Sequence, residues 1–314
     1  MATRSDPIFA FVLGTGRCGS SLIHEVIARH PDFGFVSNVD DRLWPLRLKG
    51  RRNNELYRRV PEALTRKGRI RFAPSEGYRM LEHEVSPIVC APARDLVARD
   101  ASPWLARRFR AFFEERARAQ RKPVFSHKFT GWPRARLIDA VLPDARFIHV
   151  IRDGRAVAAS MVQMPWWRGF EGPDAWGWGP LPASYRSEWE VSGRSYPVLA
   201  GVQWKMLIDA FEDARGEIPA ERWLDIRYED FLVDPAAVVE RVLAFVDLPM
   251  TSLFERSVGV YHLDNSRRDA FRRSLSRDDL SALDAVLGRH LERYGYRTPA
   301  DGPARTGDIG EGSG

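Results

Sequence analysis

The sequence predicts one sizeable α/β domain with insertions, and three observations carry that expectation. Ile8 to Leu13 is a short apolar run that leads through a glycine-rich turn into a helical stripe. Further apolar runs at 123–129, 146–151 and 223–228 each precede a segment with helical period. Finally, 314 residues that are 44% hydrophobic and 29% charged suit a core of that size.

The elements follow in order. Residues 1–6 read as a loose end, and 8–13 as a strand buried on both faces. After the turn Gly14-Thr15-Gly16-Arg17-Cys18-Gly19-Ser20-Ser21, Leu22, Ile23, Val26 and Ile27 fall on one helical face. His30-Pro31-Asp32 breaks that helix, and Phe33 to Val36 reads as a second strand. Ser37 to Arg42 then follows a strand end, where α/β sheets place ligand groups. Residues 43–122 are expected to form a basic helical insertion. Trp104, Leu105, Phe109, Phe112 and Phe113 give it an apolar face, with its arginines solvated. Strands at 123–129 and 146–151 are each followed by a helix, at 133–142 and 156–164. Residues 165–197 hold Trp166, Trp167, Trp176, Trp178 and Trp189 among glycines and prolines, too broken for a helix. Such a loop either binds a ligand or plugs a satellite core. Helical period returns at 199–214, a strand at 223–228, and Asp234-Pro235 starts another helix. Ser276 caps a last one through His290. The domain is expected to span 7–298, with the polar, glycine-rich 299–314 disordered.

No run approaches the length of a transmembrane helix, and MATRSDP lacks a signal-peptide pattern. Cys18 and Cys90 are too few for a disulfide framework or a Cys-based zinc site, so a cytosolic protein is expected. No metal cluster shows a recognisable ligand spacing. A net charge of +6 fits an anionic ligand and equally a nucleic-acid surface. The basic residues are scattered and not interleaved with stacking aromatics, so no nucleic-acid partner is expected.

The loop itself is more specific. Strand, glycine-rich turn and helix put several backbone N–H groups and a helix N-terminus onto one anion, although a tight turn could need its glycines alone. The spacing from Gly14 to Gly19 fits the nucleotide-triphosphate loop G-x-x-x-x-G-K-[ST], but Ser20 stands where that loop has lysine. Arg17 supplies a nearby cation instead. The loop suits holding a phosphate better than Mg-assisted phosphoryl transfer. A P-loop kinase or NTPase stays open as an alternative, as does an inactive nucleotide-binding module.

Three segments in order resemble the sulfotransferases that use 3′-phosphoadenosine 5′-phosphosulfate (PAPS), in their bacterial type. They are Gly14 to Ser21, Pro143 to Ser160 (PDARFIHVIRDGRAVAAS) and Arg227 to Pro235 (RYEDFLVDP). The resemblance implies a central parallel sheet flanked by helices, of the P-loop-NTPase-like sulfotransferase fold. It implies transfer of a sulfuryl group from PAPS to a hydroxyl or amine of a small-molecule, sugar or lipid acceptor, without a metal. Arg17, Cys18, Gly19, Ser20 and Ser21 would hold the 5′-phosphosulfate. Arg152 and Ser160 would bind the 3′-phosphate, and Tyr228 would touch the adenine. Lys128 resembles the lysine that neutralises charge on the bridging oxygen. For the base, the family offers a glutamate after the first helix or a histidine on a strand. Asn38 stands nearest the first position, with Asp40 and Asp41 beyond it, and His127 stands in the second. His127 is preferred over Asp40, because imidazole titrates nearer neutral pH. Acceptor and oligomeric state are not legible.

Overall fold

The computed structural model describes residues 6–60, 72–259 and 268–296. The tail expected to be disordered lies outside these residues. Its elements are β1 (Ile8–Gly14), α1 (Ser20–Ile27), β2 (Phe33–Phe35), α2 (Asn38–Arg42), α3 (Asn53–Arg59), α4 (Tyr78–Glu84) and α5 (Pro103–Gln120). Then come β3 (Val124–Thr130), α6 (Ala135–Val141), β4 (Arg146–Ile151), α7 (Gly154–Met161), α8 (Ala183–Val191) and α9 (Tyr196–Glu217). The chain continues through β5 (Trp223–Arg227), α10 (Tyr228–Val233), α11 (Pro235–Phe245), α12 (Ser252–Gly259), α13 (Phe271–Ser274) and α14 (Arg277–Arg293).

All strand pairs are parallel, in the order β2-β3-β1-β4-β5, as the expected α/β class requires. Because side chains alternate along a strand, each face of the sheet has its own core. Phe11, Leu13, Phe125, Phe129 and Phe147 face α5 and α6. Ala10, Val12, Val124, Ile148, Val150 and Ile226 face α1 and α11. From central β1 the chain builds β2 and β3 on one side and then crosses to β4 and β5 on the other. Open parallel sheets bind ligands at such a switch, beyond the carboxyl ends of the strands.

Local caps match the sequence where it was most specific. Asp234 accepts from the Ala237 N–H at 2.9 Å, and Ser276 from that of Asp279 at 3.0 Å. Three expectations need correction. The arginines of α5 are not all solvated, since Arg116 is 1% exposed and pairs with Glu84 at 2.7 Å. Trp104 is not on the buried face of α5; it is 49% exposed, with the Arg108 guanidinium 5.2 Å from its ring. The tryptophan-rich stretch is not free of helix, for α8 lies inside it. Its glycines and prolines cluster at 165–182 and 193–197, leaving ASYRSEWEV uninterrupted between them.

Candidate active site

The carboxyl ends of the strands converge on one cavity of about 870 Å³. β1 delivers the glycine-rich loop, which turns through left-handed backbone at Gly16, Arg17 and Gly19 (φ 86°, 55° and 91°). Gly19 is irreplaceable on two counts: its backbone, and the Tyr228 ring, which would lie 2.2 Å from an added Cβ. It precedes α1 with no side-chain cap, so the first N–H groups of α1 point outward without an intrahelical partner. An anion is the natural acceptor there. Cys18 is different: its thiol turns back toward Gly14 and is fully buried, so only its backbone can serve the loop.

Two guanidiniums close the other side of this cradle. Arg17 donates from Nε to Ser160 Oγ at 3.0 Å, and Arg152 donates to the Arg17 carbonyl at 2.9 Å. The Arg152 guanidinium lies 4.8 Å from the centre of the Tyr228 ring. Burial lowers the Arg17 pKa, and the neighbouring Arg152 charge lowers it further. Like charges held together gain from an anion between them. Arg17, Gly19, Ser20, Ser21, Arg152, Ser160 and Tyr228 are thus gathered in one place, from segments up to 211 residues apart (Arg17 to Tyr228). A phosphate-bearing nucleotide fits that donor set.

Lys128 sits at the end of β3 beside Ser21, with Nζ donating to Ser21 Oγ at 2.7 Å. Its second partner is Glu76, which also accepts from Thr130 and Tyr78. Burial pushes the Glu76 carboxyl up, but Lys128 and the two hydroxyls outweigh it and hold it below the usual range. Burial and the Glu76 charge push Tyr78 well up, so it stays a phenol and a donor.

Neither base expected from the sequence reaches the cavity. Alternation along β3 sends Ser126 and Lys128 toward α1, where Ser126 Oγ and His24 Nε2 are 3.0 Å apart, and His127 to the opposite face. There its ring is caged by Phe11, Phe113 and Phe129 at 6.5, 5.1 and 4.8 Å. The ring is fully buried, with the Glu76 backbone as its polar neighbour, and burial lowers its pKa to about 3. Asp40 is buried in a capping box. It accepts from the Ser37 N–H and hydroxyl, both at 2.9 Å, and from Asn53. Asp41 ties α2 to α4 through the Met80 N–H at 3.2 Å.

Sequence reasoning missed Glu76. It lies in the stretch read as a basic helical insertion, where a single acid carries no spacing signal. The backbone brings it in. Ser37 bridges Pro74, and the Ser75 N–H donates to the Val36 carbonyl at 2.8 Å, so 73–76 runs along the end of β2. The bracket Pro74…Gly77, with Gly77 at φ 61°, was the one available hint of a deliberate turn.

The tryptophans divide. Trp167, Trp176 and Trp189 are buried in a satellite core with α7, α9 and α14. Trp178 packs over Gly131, just past β3, and with Trp166 lines the cavity. A cavity of about 1000 Å³ lies elsewhere, among α8, α9 and α14. Its acids and bases pair with one another, Lys205 with Glu188 at 2.7 Å and His290 with Asp209 at 2.6 Å, and it holds none of the anion cradle.

Fold and site define a parallel α/β protein with a glycine-loop anion cradle and a cation–carboxylate pair beside it. The sequence matches the Sulfotransferase family over residues 7–252, and the chain belongs to that family. It is 22% identical over 213 residues to the omega-hydroxy-beta-dihydromenaquinone-9 sulfotransferase Stf3 of Mycobacterium tuberculosis and of Mycobacterium bovis. That match covers 66% of this chain and 50% of the relative, so the chain spans about half the length of the curated relatives it matches. The fold is shared with sulfotransferase STF9 from Mycobacterium avium (TM-score 0.53, 18% identity, 93% of this chain and 77% of that one). It is shared too with the sulfotransferase domain from the curacin biosynthetic pathway (TM-score 0.51, 14% identity, 94% and 100%). Among the described residues no helix is long and apolar enough to cross a membrane.

Proposed function

We propose that the protein transfers the sulfuryl group of PAPS to a hydroxyl of a small-molecule or lipid acceptor, with Glu76 as the base. The observation that carries this is Lys128. Its ammonium stands between Ser21 of the anion cradle and the Glu76 carboxylate, so one cation joins the donor side of the cavity to an acceptor side.

Each residue then has a task. The N-terminus of α1, Ser20, Ser21 and Arg17 hold the 5′-phosphosulfate. Arg152 and Ser160 hold the 3′-phosphate, and Tyr228 lies against the adenine. PAPS supplies an activated sulfuryl group. Lys128 stabilises the charge that develops on the bridging oxygen as the sulfur–oxygen bond to the phosphate breaks. Glu76 takes the acceptor proton as the acceptor oxygen bonds to sulfur, and adenosine 3′,5′-bisphosphate is released. The ion pair keeps Glu76 ionised at neutral pH. As Lys128 turns toward the anion, the burial that raises Glu76 is less opposed, and the carboxylate becomes a stronger base. A lipid-type acceptor is in keeping with the hydroxylated menaquinone derivative named for the mycobacterial relatives. A cytosolic location belongs to the proposal and rests on the two free cysteines.

The test is acceptor-dependent formation of adenosine 3′,5′-bisphosphate from PAPS, followed by mass spectrometry, with Lys128→Ala as control. Formation by wild type and its loss in the variant support the reading. Nucleoside triphosphate turnover in place of PAPS turnover would replace it with the kinase alternative.

A further inference from the structure

Beyond Lys128 the cavity changes character. Its wall is Tyr78, Cys90, Pro92, Met161, Trp166 and Trp178. The loop that carries Trp178 is pressed onto the stretch that carries Pro92: a Cβ on Gly179 would lie 2.0 Å from the Ala93 carbonyl oxygen. Indole and proline rings therefore adjoin on this wall, while Met161, 1% exposed, reaches it beside Gly16.

The polar groups along this wall are already used. The hydroxyls of Tyr78 and Thr130 are bonded to Glu76. Arg134, which lines this part of the cavity, is 2% exposed. It donates to the carbonyls of Val89, Ala91 and Trp132 at 2.6, 3.2 and 2.8 Å. The Pro92 carbonyl is taken by the Trp132 indole N–H at 2.6 Å. Burial pushes the Cys90 thiol up to about 12, so it is a neutral, weakly polar surface. Among the described residues this wall carries one cation, Arg134, and its guanidinium is already committed to backbone carbonyls.

Resting on the sulfotransferase reading, we propose that the acceptor is an uncharged alcohol on an apolar body, an aliphatic or aromatic alcohol whose single hydroxyl is presented to Glu76. A polyol would bring hydroxyls into this half of the cavity without partners for them, and buried unpaired polar groups are costly. A carboxylated or phosphorylated acceptor would add negative charge beside Glu76 and the sulfuryl donor, with no uncommitted cation among the described residues of this wall to meet it. An apolar body gains from the indole and proline surfaces. Trp166, 56% exposed at the rim, extends that surface outward, so a long hydrocarbon can leave the cavity along it.

The test compares acceptors on one protein preparation whose cofactor site is checked separately. Calorimetry with adenosine 3′,5′-bisphosphate reports that site. Turnover with PAPS is then measured for n-alkan-1-ols of increasing length, 4-alkylphenols, glucose, glucosamine and 4-hydroxybenzoate. Apolar alcohols should be used, with KM falling about two- to fourfold per added methylene while the chain stays inside the cavity. Quenching of tryptophan fluorescence by the same alcohols, with adenosine 3′,5′-bisphosphate bound, should follow the same order. Trp178→Ala should raise the alkanol KM about tenfold with bisphosphate affinity unchanged, and Trp178→Phe should restore most of it. Bisphosphate binding with glucose, glucosamine or 4-hydroxybenzoate preferred, or with none of the alcohols used, overturns the acceptor class and leaves the sulfotransferase reading standing. No bisphosphate binding at all overturns both.

Discussion

Replacing Glu76 by Gln removes the proton acceptor while leaving its neighbours a partner. Three donors reach the carboxylate: Lys128 Nζ, the Thr130 hydroxyl and the Tyr78 phenol. Glutamine keeps one acceptor oxygen among them, so the cluster loses charge assistance more than it loses hydrogen bonds. The cost to stability should be about 1–2 kcal/mol, visible as a Tm lowered by roughly 2–8 °C. The rate should fall much further. A positioned general base contributes about 10²–10⁴, which is about 2.7–5.5 kcal/mol of barrier. Adenosine 3′,5′-bisphosphate should bind at least as tightly as to wild type, since Lys128 is no longer held by a carboxylate. The assay is kcat at saturating PAPS, calorimetry with the bisphosphate, and a melting curve. The wild-type pH profile adds an independent check. The Glu76 pKa lies below the usual carboxylate value, so the free protein is competent at all higher pH and loses competence only as pH falls through that low pKa. Turnover of Glu76→Gln within about tenfold of wild type would refute the assignment, as would an acid limb of kcat/KM near pH 6.5, which would return the role to an imidazole.

Other expectations follow from the same geometry. Lys128→Ala should lower kcat by roughly 10²–10³ with a small change in bisphosphate affinity, since its charge is needed as the bond breaks. The same variant leaves the burial of Glu76 opposed only by the Thr130 and Tyr78 hydroxyls, so the acid limb should move to higher pH; an unmoved limb would separate the two groups. Trp176→Ala should destabilise by about 3–5 kcal/mol, because Trp176 is 4% exposed within the satellite core. Differential scanning calorimetry checks this, and an unchanged Tm would place Trp176 outside the core. His127→Phe should keep wild-type turnover and be favoured at low pH. The folded pKa of His127 is depressed to about 3, so the stability tied to its neutral form is full above the unfolded value near 6.5 and drains away as pH falls between the two. Denaturant titrations across that window should show the variant gaining on wild type, and lost activity in a folded variant would contradict the caged placement.

Legibility in the sequence tracked how local the determining physics is. The sheet was readable because buried parallel strands are continuous apolar runs, and the caps at Asp234 and Ser276 because they act within three residues. The glycine-rich loop was readable because Gly14 to Ser21 states its own turn and helix start. Glu76 was not, since its place depends on a bridge between Ser37 and Pro74 that no periodicity announces. The sheet face that His127 takes was hidden for a related reason. The sequence placed it on a strand beside Lys128, and adjacent strand residues face opposite ways. Choosing which of the two faces the ligand requires knowing that Ser126 and Lys128 both meet α1. The tryptophans divided for want of the same information: Trp176 and Trp178 differ by two residues, and only packing against Gly131 distinguishes a wall residue from a core one.

The central claim is that this cavity is built for a nucleotide carrying both a 5′ and a 3′ anion. Adenosine 3′,5′-bisphosphate differs from AMP by the 3′-phosphate assigned to Arg152 and Ser160. Leaving one member of a partly buried charge pair without its partner costs about 2–5 kcal/mol, so wild type should prefer the bisphosphate by roughly 30-fold or more. In Arg152→Ala most of that preference should vanish while AMP affinity changes little. Isothermal titration calorimetry with the two ligands and the two proteins decides the matter. A strong wild-type preference that collapses in the variant is the predicted result; equal affinity of wild type for the two nucleotides would contradict the account.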